Sequence, residues 1–335
     1  MLSEIAITPQ TFDISDYDEP ARARAVLLML KKVLMEDVMV RDLRAGRWYR
    51  AACSCCGGTE PAVKSILKSL RSGNRLRSFP QSHKGSRPES DLQWFDEAAA
   101  SHEREELRCI LATPPTAAAR GENSLVAILA DVHDHQWWKQ HASSVTLARQ
   151  TTDYLTHLDL ILKEANSLMF IDPHLDPGKP GYSDFHELIH VCDQRSSRPL
   201  IEIHRVRYVG SGPSRQVVDD AEWERRFGNW AATQLAGCKC TINVHIWPDF
   251  HDRYLLSNLI GLSLPNGFDV DNSVNNETTW TRLSVSGREG IQRKFDPQAS
   301  RSTPHVFALC SYQSKARMAG PTRRHSSSCR CSSSC

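Results

Sequence analysis

Three residues in the run DFHDRYLLSN (249–258), just after the apolar stretch CTINVHIW, have the types and spacing for phosphoryl chemistry: His251, Arg253 and Asn258. A histidine can attack phosphorus or protonate a leaving oxygen. Residues two apart at a strand end point to one face, so Arg253 would sit beside His251 and grip two phosphate oxygens with its planar fork. Asn258 can offer hydrogen bonds but no charge. Histidine chemistry of this kind needs a second histidine as acid. His174 and His204, each at or near a predicted strand end, are the candidates.

A competing set lies in HELIH (186–190). On a helix His186 and His190 share a face, and Glu187 could serve as base for a metal-bound water, as in a zinc hydrolase. No H-x-x-G-x-x-H extension follows, and Phe185, Leu188 and Ile189 also suit a half-buried helix. The clusters CSCC (53–56) and CKC (238–240) lack the usual C-x2-C spacing of metal sites and read better as thiols. HDHQWW (133–138) would place His133 and His135 on one face of a strand, as a packing cluster. No phosphate-binding glycine loop is present, and GSG (210–212) is too short to serve as one. Arg282, among the hydroxyls of TTWTRLS, could approach a phosphate or simply belong to a surface strand.

The elements that must position these residues follow from periodicity. Residues 20–44, 60–70 and 90–107 carry apolar positions at helical spacing, the second with Pro61 near its start and the third with Ser90 as N-cap. Beyond residue 147 the pattern alternates. Helices are expected over 147–165 and 219–236, and strands at SLMFIDPHL (167–175), PLIEIHRVRYV (199–209) and CTINVHIW, with two more in 253–270. SLVAILADV (124–132) could also be a strand.

The region from about 165 to 270 resembles phospholipase-D-like domains, most closely the C-terminal domain of MIT-domain-containing trafficking proteins. The resemblance rests on FIDPHL (170–175), FHELIHVC (185–192), HDRYLLSN (251–258) and IGLSLPNGFD (260–269), with His174 where an aromatic residue is usual. Members of the wider family use H-x-K-x4-D, in which histidine attacks phosphorus and lysine holds a phosphate oxygen. Catalytic members bring two motifs together, from one chain or from a dimer. This chain shows one motif, with arginine and asparagine at the lysine and aspartate positions.

Bulk properties bound the reading. The 335 residues carry a net charge of +2, but five basic residues and no acid follow Ser311, so residues 1–310 carry −3. Any phosphate contact is therefore local rather than a general basic field. The acidic start argues against a secretory signal, which predicts a cytoplasmic protein with reduced cysteines.

The expected architecture is α/β: a mainly helical N-terminal region (1–146), a phospholipase-D-like mixed sheet flanked by helices (147–307), and a disordered Ser/Arg/Cys tail (308–335). The expected function is a nuclease-like phosphodiesterase working through His251, Arg253, Asn258 and Asp172 with no cofactor. Nucleic acid is the expected partner, a homodimer could complete the site, and the helical half could contact another protein. A prokaryotic defence setting would suit such a module. A degenerate binding or scaffold module and a zinc hydrolase are the alternatives.

Overall fold

The computed structural model describes residues 1–309 except 56–59, Lys84, Ser86, Glu122, His141, Ser211, Asn272, 274–275 and Arg301. Cys56, the middle of GSG and nearly all of the expected tail lie outside the described residues.

The N-terminal half is mostly helix, as expected, but it is built around a sheet that the sequence pattern did not show. Its helices enclose a five-stranded parallel sheet of β1 (Ser3–Ile7), β2 (Val38–Asp42), β3 (Leu76–Ser78), β4 (Cys109–Ala112) and β5 (Val126–Ile128), in the order β3-β2-β1-β4-β5. The expected helices are present as α1 (Pro20–Glu36), α3 (Pro61–Ser72) and α4 (Asp91–Arg104), with α2 (Leu43–Cys55) between the first two. In α1 the buried residues Ala23, Val26, Leu27, Leu30 and Leu34 recur every three or four positions, which gives one apolar stripe. The strands escaped notice because β2 and β4 are buried along their whole length, so their apolar residues do not alternate with polar ones. The run from 20 to 44 is therefore a helix that ends at Glu36 and a strand that follows it. Short α5 (Pro114–Ala119) and α6 (Gln136–Lys139) complete this half, and 129–134 is a 3-10 turn rather than strand.

The second sheet is mixed, has eight strands and is flanked by helices. It contains β6 (Ser144–Ala148), β7 (Ser167–Ile171), β8 (Leu200–Val206), β11 (Thr241–Trp247), β12 (Tyr254–Ser257), β13 (Gly261–Ser263), β14 (Glu277–Arg282) and β15 (His305–Leu309), in the order β15-β11-β8-β7-β12-β13-β14-β6. β7, β8 and β11 run parallel, and the other pairings are antiparallel. A two-stranded ribbon of β9 (Tyr208–Val209) and β10 (Gln216–Val217) stands outside it. β15 carries the sheet to Leu309, two residues past the expected domain end.

Helices α7 (Thr151–Glu164), α8 (Phe185–Asp193) and α9 (Asp220–Gln234) cover the face that shows Leu168, Phe170 and Ile203. The opposite face shows Met169 and Ile171 and packs against Phe295 at the end of α10 (Val285–Lys294). Arginines join the halves. Arg75 donates to the Leu259 carbonyl at 2.5 Å, Arg77 bridges Glu4, Glu105 and Glu164, and Arg282 pairs with buried Asp37. Arg282 is thus an interlobe contact. Among the described residues no helix is long and apolar enough to cross a membrane.

Candidate phosphate-binding site

Asp172 is the centre of the site. It follows the last residue of β7, and pleat parity puts it on the face of Leu168 and Phe170. It is fully buried. One carboxylate oxygen accepts from the His174 backbone N–H at 2.9 Å. The other accepts from the Phe268 N–H at 3.1 Å and the Tyr182 hydroxyl at 3.0 Å. Burial pushes its pKa up, against the pull of the two backbone donors, Arg253 and Tyr182.

Arg253 arrives from the antiparallel neighbour. Tyr254 pairs with Ile171, so the residue before it stands opposite Asp172. Its Nε lies 3.8 Å from Asp172 Oδ1, an ion pair too long for a hydrogen bond. Among the described residues its guanidinium makes no hydrogen bond, and the side chain is 28% exposed. Gly267 closes the other side. It holds φ +69°, and a Cβ there would stand 1.9 Å from Asp172 Oδ2 and 3.1 Å from Arg253 Cδ. Only glycine fits both the conformation and the space.

His174 is half-buried beside this pair. Burial holds its pKa below the usual value, and the positive charges of Arg253, Lys179 and Arg205 act in the same direction against Asp172. Arg205 itself is buried. It donates to the carbonyls of Leu175, Val206 and Tyr208 and lies 3.3 Å from the Trp223 ring centroid, and burial pushes its pKa down to about 9. It fixes the loop after Asp172 rather than facing solvent.

The remaining candidates fall in different places. His251 is exposed two residues before Arg253, and its charge is felt by Asp249, which accepts from Tyr208 and Arg215. Asn258 does not join Arg253. It sits past the far end of β12, about 16 Å away at strand rise, where its Oδ1 accepts from Asn166 N–H at 2.7 Å. His204 pairs with Ile171, which puts it on the face opposite Asp172. It cannot supply the second histidine of this site within one chain.

The HELIH residues are on α8 as expected. His186 Nδ1 meets the Ser183 carbonyl at 2.8 Å and His190 Nε2 meets the Gln234 carbonyl at 3.0 Å. Among the described residues the groupings of metal-ligating atoms include neither histidine. Cys238 and Cys240 are buried beside Asp193, whereas Cys53 is exposed on α2, so the two thiol clusters do not form one site. His135 caps α6, where it accepts from Trp137 N–H at 3.2 Å. The sequence reading missed Tyr182, Gly267 and Arg205. Of these, only Gly267 lay in a segment already marked by the family resemblance.

A second buried carboxylate lies in the N-terminal half. The order β3-β2-β1-β4-β5 is that of a doubly wound sheet, with its switch point between β1 and β4. There Asp91 Oδ2 accepts from the hydroxyls of Thr8 at 2.9 Å, Thr113 at 2.9 Å and Thr116 at 3.0 Å, and Oδ1 from Gln10 N–H at 3.1 Å.

No protein-family model and no curated protein matches the chain. Among solved structures it is similar to TrmBL2, an archaeal chromatin protein with a novel mode of DNA binding. The identity is 12%, the match covers 88% of this chain and 98% of that one, and the TM-score is 0.28. It is also similar to phosphatidylserine synthase of Haemophilus influenzae Rd KW20, with 10% identity, 85% of each chain covered and a TM-score of 0.29. Likenesses this low carry no weight in the functional reading.

Proposed function

We propose that the chain is a phospholipase-D-like module that binds the phosphodiester backbone of nucleic acid at Arg253. One observation carries this reading: a guanidinium held beside a buried carboxylate, with no hydrogen bond of its own among the described residues. Asp172 orients the arginine, and the distal nitrogens are left to form a charge-assisted fork on phosphate. His174 lies beside them and adds positive charge when protonated. His204 on the other sheet face and Asn258 at the far strand end favour binding over a complete single-chain catalytic set.

The test is equilibrium binding of single- and double-stranded DNA and RNA to the full-length protein, over a salt series, with anionic vesicles as a parallel arm. Arg253→Ala should weaken nucleic-acid binding about 10- to 100-fold and lower the salt slope by about 1. Unchanged nucleic-acid affinity would overturn the reading, and vesicle binding alone would reassign the phosphodiester to lipid.

The exposed His251, two residues before Arg253, favours a second reading, in which hydrolysis occurs with a second copy supplying the acid. EDTA-resistant cleavage lost in His251→Ala would establish it.

A further inference from the structure

The opposite face of the same sheet holds a cluster that the phosphate site does not use. Strands β8 and β11 pair in parallel, with His204 opposite His245 and Glu202 opposite Asn243. Pleat parity therefore puts Glu202, His204 and His245 on one face. The two imidazoles stack with centroids 4.4 Å apart and planes 9° apart. Glu202 reaches His204 Nε2 at 3.4 Å and His245 Nε2 at 4.0 Å.

His245 is the anomaly. It is 4% exposed, and neither ring nitrogen has a hydrogen-bond partner among the described residues. A buried polar ring left bare on both nitrogens is costly, and the interior normally supplies a partner. Here the nearest carboxylate stands just beyond bonding distance.

We propose that Glu202, His204 and His245 form a zinc site with an open coordination position. One potential ligand atom from each residue lies within 4.8 Å of the others. Tetrahedral zinc with bonds of about 2.0–2.1 Å needs ligand atoms about 3.4 Å apart. Glu202 Oε2 already stands at this distance from His204 Nε2, while the other oxygen, Oε1, is 4.0 Å from His245 Nε2, so the carboxylate must turn for one oxygen to serve both. An imidazole lone pair lies in the ring plane, so His245, which has no hydrogen bond to hold it among the described residues, must also swing out of the parallel stack when zinc binds.

Two imidazoles and one carboxylate suit zinc rather than magnesium or calcium, which prefer oxygen. Trp247 and Phe295 wall the site on one side, with ring centroids 6.0 and 5.6 Å from that of His204. The Glu202 side chain, 26% exposed, leaves the rim open to solvent. Three protein ligands and an open side is the donor set of a catalytic rather than a structural zinc. Zinc with one carboxylate leaves a charge of +1, which a bound hydroxide or ligand carboxylate would neutralise.

Loading has a definite proton consequence. The Trp247 indole N–H donates to His204 Nδ1 at 3.0 Å, which leaves the neutral ring's proton on Nε2. Zinc on Nε2 displaces that proton to Nδ1, and the Trp247 bond breaks. Two hydrogen bonds, Trp247 to Nδ1 and Nε2–H to Glu202 at 3.4 Å, are exchanged for three metal–ligand bonds, with no net proton release from the imidazole.

The test uses full-length protein stripped with a chelator, then titrated with Zn2+ and with Co2+. The expected result is one zinc per chain, visible cobalt d–d absorption without a thiolate charge-transfer band, and a change in tryptophan emission that is absent in Trp247→Phe. His245→Phe and Glu202→Gln should each weaken zinc binding on the order of a hundredfold, with circular dichroism confirming the fold. Cys240→Ser, which disables the separate Asp193–Cys238–Cys240 cluster, should leave the zinc in place. The proposal fails if stoichiometric zinc does not bind. It also fails if zinc binds equally well to both folded variants, or is lost in Cys240→Ser.

Discussion

Asp91 and Asp172 are both buried carboxylates, one at the crevice of each sheet, yet their surroundings give them different work. Asp91 is saturated by three threonine hydroxyls and a backbone N–H, all neutral and all from its own half. Asp91, Thr8, Thr113 and Thr116 are all buried, so this carboxylate is tied up within its own half. Asp172 also takes three neutral donors, but Arg253 stands beside it at 3.8 Å. That fourth neighbour turns a structural carboxylate into a support for an exposed cation. A buried acid closes a site when neutral groups satisfy it, and opens one when it orients a charge that reaches solvent.

The largest effect that would break this comparison is at Gly267. Gly267→Ala forces a Cβ into Asp172 from a left-handed backbone, so it should cost about 3 kcal/mol or more and abolish nucleic-acid binding. Urea denaturation and a binding titration read the two effects. Asp91→Ala should cost about 3 kcal/mol by leaving several buried donors bare, with nucleic-acid affinity unchanged among the molecules that remain folded. If Asp91→Ala lost binding at constant stability, the division between a locked and an open carboxylate would be wrong. Asn258→Ala removes the acceptor for Asn166 N–H at the start of β7 and should cost about 1 kcal/mol of stability. Its binding should stay at wild-type level, in contrast to Arg253→Ala.

The smallest effect sharpens the role of His174. Burial holds His157, His174, His204 and His245 below the ordinary histidine value of 6.5. The unfolded chain therefore binds more protons just below that pH, so their contribution to stability is full above 6.5 and is lost as pH falls toward the folded values. Phosphate binding should move the other way, since protonated His174 adds positive charge beside Arg253. Thermal midpoints and affinities measured from about pH 7 to about pH 5 should diverge, and His174→Gln should flatten the affinity curve while removing only its own share of the stability loss.

How far the sequence could be read depended on how each element is buried. Helices α1, α3 and α4 were legible because one face of each meets solvent. β7, β11 and β12 were legible through apolar runs, and β8 through its alternation of apolar and polar residues. β1, β2 and β4 were not, since both faces are covered and the pattern loses its period. At the candidate site, Arg253 and Asp172 could be proposed from two short segments. Tyr182 and Arg205 could not, because a buried hydroxyl and a buried guanidinium carry no spacing signal.

The sequence by itself determined the α/β character, most of the helices, the strands of the mixed sheet's centre, and the placing of one histidine and one arginine two apart at a strand end. The tertiary structure decided which side of the sheet each group faces. His204 and Asp172 are neighbours across β7 and β8, yet parity and register send them to opposite faces. His204 and His245 are forty-one positions apart, and only parallel pairing stacks them. Local periodicity fixes how side chains alternate along one strand. Only long-range pairing fixes which of them meet.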